Sequence, residues 1–238
     1  MHLLFLFRLL YYKVCGIISQ DFYSRSMFMK TIIMVRHGQS ESNVKKTFTG
    51  QLDAPLTEVG SEQARRMARY LDKYRIEKIY VSSLERAVET AQAIADRQNC
   101  PMEKHDELME IHSGLWQGLT FTEIAEKYPQ TYQAWKENIG LATPDGGETC
   151  KQLYERVTRF LEKVLAEKEE VICLVCHATP IRMMESYIHY GSVSGAQEIS
   201  WVPNASVTVY TYDGKFAEVE RGTCDFLGEL CTNLPKTI

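Results

Sequence analysis

Thr31-Ile32-Ile33-Met34-Val35-Arg36-His37-Gly38-Gln39-Ser40-Glu41-Ser42-Asn43 decides how this chain is read. Its first five residues are apolar or β-branched, the pattern of a strand buried on both faces. The run stops abruptly at two side chains that can carry charge, Arg36 and His37, followed by a glycine. A buried strand that delivers Arg and His at its end belongs to an open α/β sheet, where ligands bind beyond the C-terminal ends of parallel strands.

The same alternation repeats outward from there. Thr57 is a candidate N-cap for a helix that places Ala64, Met67, Ala68 and Leu71 on one side. Lys78 to Val81 reads as a second strand, and Ser83 as the N-cap of a helix carrying Leu84, Val88, Ala91 and Ile94. Pro101 opens a weaker third strand ending near Asp106. Thr149 and Gln152 form a capping-box pattern before a helix with Leu153, Val157, Phe160, Leu161, Val164 and Leu165 on one stripe. Val171 to Cys176 is the most strand-like run, and Thr179-Pro180 then starts a helix with Pro at its first position. Val207–Tyr212 and Phe216–Val219 flank Asp213-Gly214, a hairpin signal. The pattern predicts a doubly wound, mainly parallel α/β sheet with helices on both faces and an antiparallel edge strand. Residues 30–228 make one domain, with a short cap-like insertion at about 111–147 and a tail at 229–238.

Four strand ends in this scheme bring Arg36, His37, Arg86, Glu110 and His177 to one rim. Phosphoryl transfer needs an in-line nucleophile, donors around the equatorial oxygens and an acid for the leaving oxygen. Neutral imidazole is a competent nucleophile, and arginine forks match phosphate oxygens. Gly38 is expected to let backbone approach a bound anion. His112, Trp116, Tyr128, Tyr132 and Trp135 are candidates to shape the substrate pocket.

The run Arg36 to Asn43 resembles the signature of the histidine phosphatase superfamily, the phosphoglycerate-mutase-like fold. The resemblance continues in order through Thr49-Gly50, Asp53 with Pro55-Leu56-Thr57 and Gly60, and Ser82 to Ala87 with Glu89-Thr90-Ala91. It goes on through Glu110 with Gly114, Trp116 and Gly118, then Gly146-Gly147-Glu148, then His177. It implies that His37 becomes phosphohistidine, that Arg36, Arg86 and His177 form the phosphate pocket, and that Glu110 is general acid and base. Gly38, Asn43, Thr49, Gly50 and Ala178 are expected to assist substrate or phosphate binding. No metal and no cofactor is expected. The reaction implied is hydrolysis of a small phosphorylated metabolite, because Ile111 to Gly147 is short and holds only Lys127 and Lys136 as cations. A bisphosphate-dependent phosphoglycerate mutase and a non-catalytic phospho-ligand-binding module are the alternatives.

The chain of 238 residues carries a net charge of −4, which gives no global attraction to nucleic acid or acidic membranes. Any anion must be held by a local cluster. Residues 1–29 read as a disordered leader or a start-site artefact, with Met27 or Met29 as the alternative start. They are too interrupted for a membrane span, so no stable membrane association is expected. Seven cysteines without scaffold spacing read as mostly reduced thiols in a cytoplasmic protein. Cys173, Cys176 and His177 match haem-attachment spacing, but residues three apart on a strand face opposite ways, so haem is rejected. A homodimer is left open.

Overall fold

The computed structural model describes residues 29–232 of the chain. A six-stranded sheet runs through its centre in the order β3-β2-β4-β1-β5-β6. The strands are β1 (Lys30–Arg36), β2 (Lys78–Ser82), β3 (Met102–His105), β4 (Val171–Cys176), β5 (Val207–Tyr212) and β6 (Phe216–Thr223). The first four pair in parallel, whereas β5 and β6 run antiparallel. The antiparallel edge is therefore two strands wide, and β6 extends past the expected Val219.

Alternate residues of the central strands feed two separate cores. Ile32, Met34, Tyr80, Leu174 and Cys176 pack with Leu153, Val157 and Leu161 of α6 (Cys150–Leu165) and with Met183 and Met184 of α7 (Ala178–Tyr190). Ile33, Val35, Val81, Cys173 and Val175 pack on the opposite face with Met67 and Ala68 of α2 (Glu58–Tyr70) and with Ala87, Ala91 and Ile94 of α3 (Glu85–Gln98). The period-two pleat of a strand covered on both faces accounts for this division. It also sends Cys173 and Cys176 into different cores, as the argument against haem requires.

Local signals hold where the side chain has a helix terminus to itself. Thr57 accepts from Gly60 N at 3.0 Å, and Thr149 and Gln152 close a capping box on α6. Two expectations are corrected. Ser83 does not cap α3, because its hydroxyl is taken by Asp106; Asp53, from a distant loop, accepts the Glu85 N–H at 2.9 Å instead. Pro180 is the third residue of α7, not the first, since the helix begins at Ala178. The first-turn N–H groups of a helix have no intrahelical acceptor, so a proline is tolerated there too.

Residues 111–147 form two short helices, α4 (Phe121–Lys127) and α5 (Pro129–Glu137), with 3₁₀ turns on either side. They pack into the same core as α6 and α7. At the C-terminus the expected tail at 229–238 is corrected for its described part. Leu230 O accepts from Gln63 Nε2 at 2.7 Å, and Thr232 Oγ1 accepts from Asn204 N at 3.3 Å. Cys224 and Cys231 form a disulfide there, because the chain after β6 folds back and brings their Cα atoms to 6.0 Å. That corrects the reduced-thiol reading for this pair, while Cys100, Cys150, Cys173 and Cys176 are free. All but Met29 of the expected leader at 1–29, and residues 233–238, lie outside the described residues. Among the described residues, no helix is long and apolar enough to cross a membrane.

Helix α2 is seated against the loop after β1 through a glycine contact. A Cβ on Gly60 would stand 2.0 Å from Gln39 O, and one on Gly38 would stand 2.6 Å from Gly60 O. Both obstacles are backbone, so no rotamer change relieves them. Gly60→Ala should lower unfolding stability by roughly 1–3 kcal/mol. Urea denaturation of the variant checks this, and an unchanged midpoint would contradict the contact.

Candidate active site

Strand pairing sets the geometry of the site. In the parallel ladder Arg36 lies opposite Cys176, so the next residues, His37 and His177, emerge side by side. Their rings sit 5.1 Å apart between centroids, and His37 N donates to Cys176 O at 3.0 Å. Arg86 arrives from the first turn of α3, after β2, and Glu110 from the turn after β3. All four parallel strands end at the same rim, so the five expected residues converge there.

Arg36, His37, Arg86 and Glu110 line one pocket, together with Asn43, Thr49, Gly50 and Ala178. His177 lies just behind His37, fully buried. Gly38 is placed differently from expectation. Its N–H is taken by Thr90 Oγ1 at 3.0 Å, and its Cα faces the Gly60 carbonyl. A close backbone contact with α2, rather than approach to an anion, is what calls for a glycine there.

The tautomer of His37 follows from its neighbour. Nδ1 lies 2.7 Å from Gly38 O, which can only accept, so Nδ1 carries the proton and Nε2 keeps its lone pair. Burial holds the His37 pKa well below the usual histidine value, and the positive charges of Arg86 and Arg36 add to that. The His177 pKa is lowered by burial first and by Arg86 next. Its Nε2 is 2.7 Å from Ser82 Oγ, while its Nδ1 is buried with no partner.

The two arginines are anchored by carbonyls rather than by carboxylates. Arg36 donates to Val202 O at 2.6 Å, and Arg86 to Leu52 O at 2.9 Å and Gly50 O at 2.8 Å. Among the described residues neither makes a salt bridge, and Arg36 Nε is buried without any acceptor. Burial lowers both pKa values to about 10, with Glu110 opposing the shift in each case. Both remain cationic at neutral pH. Buried cations without a salt-bridge partner are costly, so the pocket favours an anion in addition to Glu110, the one carboxyl side chain that lines it. The start of α7 strengthens that preference. His177 occupies the N-cap position without a side-chain cap, and Ala178 and Thr179 of the first turn line the pocket, which turns the positive end of the helix toward it.

Glu110 closes the other side. Its Oε1 accepts from Ile111 N at 2.9 Å, and its Oε2 lies 3.5 Å from Thr179 N. Its main chain is held by Gln51 Nε2 and Arg156 Nη2, each 3.1 Å from Glu110 O, and Arg156 is in turn paired with Glu148.

Several residues escaped the sequence reading. Asn204 Nδ2 is 3.1 Å from both His37 O and Asn43 Oδ1, tying the loop after β1 to the segment before β5. Phe48, Phe121, Thr47, Thr179 and Trp201 line the pocket. Of the five cap residues expected to shape it, only Trp135 does so. Trp116 is fully buried with its Nε1 on Asp145, Tyr128 and Tyr132 pack on the core, and His112 is exposed.

Residues 32–225 match the histidine phosphatase superfamily, branch 1. The chain belongs to this superfamily. It is 36% identical over 157 residues to phosphoserine phosphatase 1 of Hydrogenobacter thermophilus, covering 66% of this chain and 74% of that one. It is 32% identical over 209 residues to 2,3-bisphosphoglycerate-dependent phosphoglycerate mutase 2 of Gloeobacter violaceus, covering 84% and 94%. Among solved structures, mycobacterial glucosyl-3-phosphoglycerate phosphatase in complex with inorganic phosphate superposes with a TM-score of 0.74 at 26% identity, covering 83% and 99%. The chain is thus a histidine phosphatase, a phosphoric monoester hydrolase by class.

The electrostatics of this histidine phosphatase predict the behaviour of its His37. In free enzyme the ring should stay neutral, protonated on Nδ1, from pH 7.5 down past 6.5, the ordinary histidine value. Nitrogen-15 shifts of the imidazoles across that range check it. A His37 ring that titrates at or above 6.5 would contradict the buried, cation-flanked environment.

Proposed function

We propose that this enzyme hydrolyses a small phosphomonoester without a metal ion, through a phosphohistidine on His37. The observation that carries the reading is the state of that ring: neutral, with Nδ1–H held by Gly38 O and the Nε2 lone pair free, in a pocket it shares with two guanidiniums that make no salt bridge. In the first half-reaction Nε2 attacks phosphorus, the phosphorus–oxygen bond to the alcohol breaks, and Glu110 gives the departing oxygen a proton. In the second, Glu110 removes a proton from water as that water attacks the phosphohistidine, releasing inorganic phosphate and restoring the ring. Arg36 and Arg86 hold the phosphoryl oxygens and meet the charge that develops on them. The unpartnered Nδ1 of His177, with Ser82 fixing the other ring nitrogen, supports a role as a further donor to the phosphoryl group. Asn43, Thr49, Gly50 and Ala178 complete the phosphate end of the pocket.

The mutase alternative has one observation in its favour, the likeness to a bisphosphoglycerate-dependent mutase. Such an enzyme must hold a second phosphate. Arg36 and Arg86 are the only arginine or lysine side chains among the residues that line this pocket, and Lys127 and Lys136 of the insertion are not among them. That favours hydrolysis of a monophosphate.

His37→Ala should abolish release of inorganic phosphate, and Glu110→Gln should reduce it by about 10²–10⁴-fold. The Glu110→Gln loss should be much smaller for p-nitrophenyl phosphate, whose leaving group needs little protonation, than for an alkyl phosphate. Steady-state kinetics in the presence of a chelator measure all three. Full activity in His37→Ala would sink the mechanism, and an equal Glu110→Gln loss in kcat/KM, which reports the first half-reaction alone, for both substrates would remove Glu110 from the acid role.

A further inference from the structure

Besides its two arginines, the pocket is lined by a connected aromatic wall. Phe48 stands edge-on to Phe121 at 6.0 Å and to Trp135 at 5.2 Å, and Trp135 stacks with Trp201 at 6.5 Å and 18°. Phe48 and Trp135 are buried, whereas Phe121 and Trp201 are partly open to solvent. Trp201 is held in place from outside the pocket. The Arg182 guanidinium carbon lies 4.4 Å from its ring centroid, and Arg182 is itself anchored by Nε to Ala196 O at 2.7 Å. Trp201 is thus braced by a side chain that is itself anchored.

The charged groups in the pocket are few. A phosphate dianion would use both guanidiniums, and Glu110 is the one carboxyl side chain among the residues that line it. A second anionic group on the substrate, whether carboxylate or phosphate, would leave water for an aromatic surface with no third lysine or arginine among the lining residues to receive it, at a net cost. An uncharged flat ring would instead find faces and edges suited to stacking.

We propose that the alcohol portion of the substrate is an uncharged, ring-bearing group stacked on the Phe48–Trp135–Trp201 wall, with Trp201 as the residue that selects for it. This rests on the phosphohistidine reading above and adds the leaving-group class. The chemistry that must supply such a substrate is phosphorylation of a ring-bearing alcohol.

The test must separate recognition from reactivity, because an aryl phosphate is hydrolysed more easily whatever the pocket prefers. Phenethyl phosphate avoids this, since its leaving alkoxide is about as poor as that of phosphoserine or 3-phosphoglycerate. Wild-type kcat/KM should be about tenfold or more higher for phenethyl phosphate than for either charged substrate, with the advantage mainly in KM. Trp201→Leu, which keeps apolar bulk but loses the ring face, should cut that ratio about fivefold or more. Circular dichroism and the melting temperature of Trp201→Leu establish that it is folded, and Trp201→Phe should restore most of the ratio. A wild-type preference for phosphoserine or 3-phosphoglycerate would overturn the inference, as would a ratio unchanged in folded Trp201→Leu. Those results would leave the proposed function standing if hydrolysis still required His37. Failure of the wild type to hydrolyse any of the three would overturn both.

Discussion

The parallel pairing of β1 with β4 is the constraint on which the site depends. Once Arg36 is registered opposite Cys176, the next residue on each strand is a histidine, and the two rings have to share the rim. The apolar content of both strands holds that register. A slip by one residue would exchange the sets Ile32/Met34 and Ile33/Val35 between cores that are closed on both sides. The packing that stabilises the sheet therefore also aligns the two histidines.

The electrostatic character of the pocket follows from how its cations are anchored. Carbonyls of Val202, Leu52 and Gly50 orient the guanidiniums without neutralising them. A carboxylate partner would have stabilised the empty enzyme and competed with the substrate. Burial keeps His37 neutral and the same uncompensated charge adds to that, so one arrangement leaves both unpaired positive charge and a free imidazole lone pair in the pocket. Glu110 partly offsets the two arginines.

Much of this was legible along the chain because the evidence is local there. Strand runs, the Thr57 and Thr149 caps and the residues at strand ends are each read within a few positions. Long-range relations were not legible. Asp53 displaces Ser83 as the cap of α3 from 32 positions away, and Asn204 grips the His37 loop across a separation of 167. Gly38 looked like a place for an anion, but its requirement comes from Gly60 on another element. The aromatic wall joins Phe48, Trp135 and Trp201 from three distant segments, and no spacing rule links them. The Cys224–Cys231 pairing depends on the turn after β6, which carries no periodic signal.

The central claim is that His37 itself carries the phosphoryl group between the two half-reactions. Mixing enzyme with a phosphorus-32-labelled aryl phosphate and quenching in alkali within milliseconds tests this most directly. The account predicts label on the peptide containing His37, stable to alkali, lost in mild acid, and absent from His37→Ala. An enzyme that turns over substrate while no label is ever trapped on that peptide, or one that carries an acid-stable label elsewhere, would contradict it.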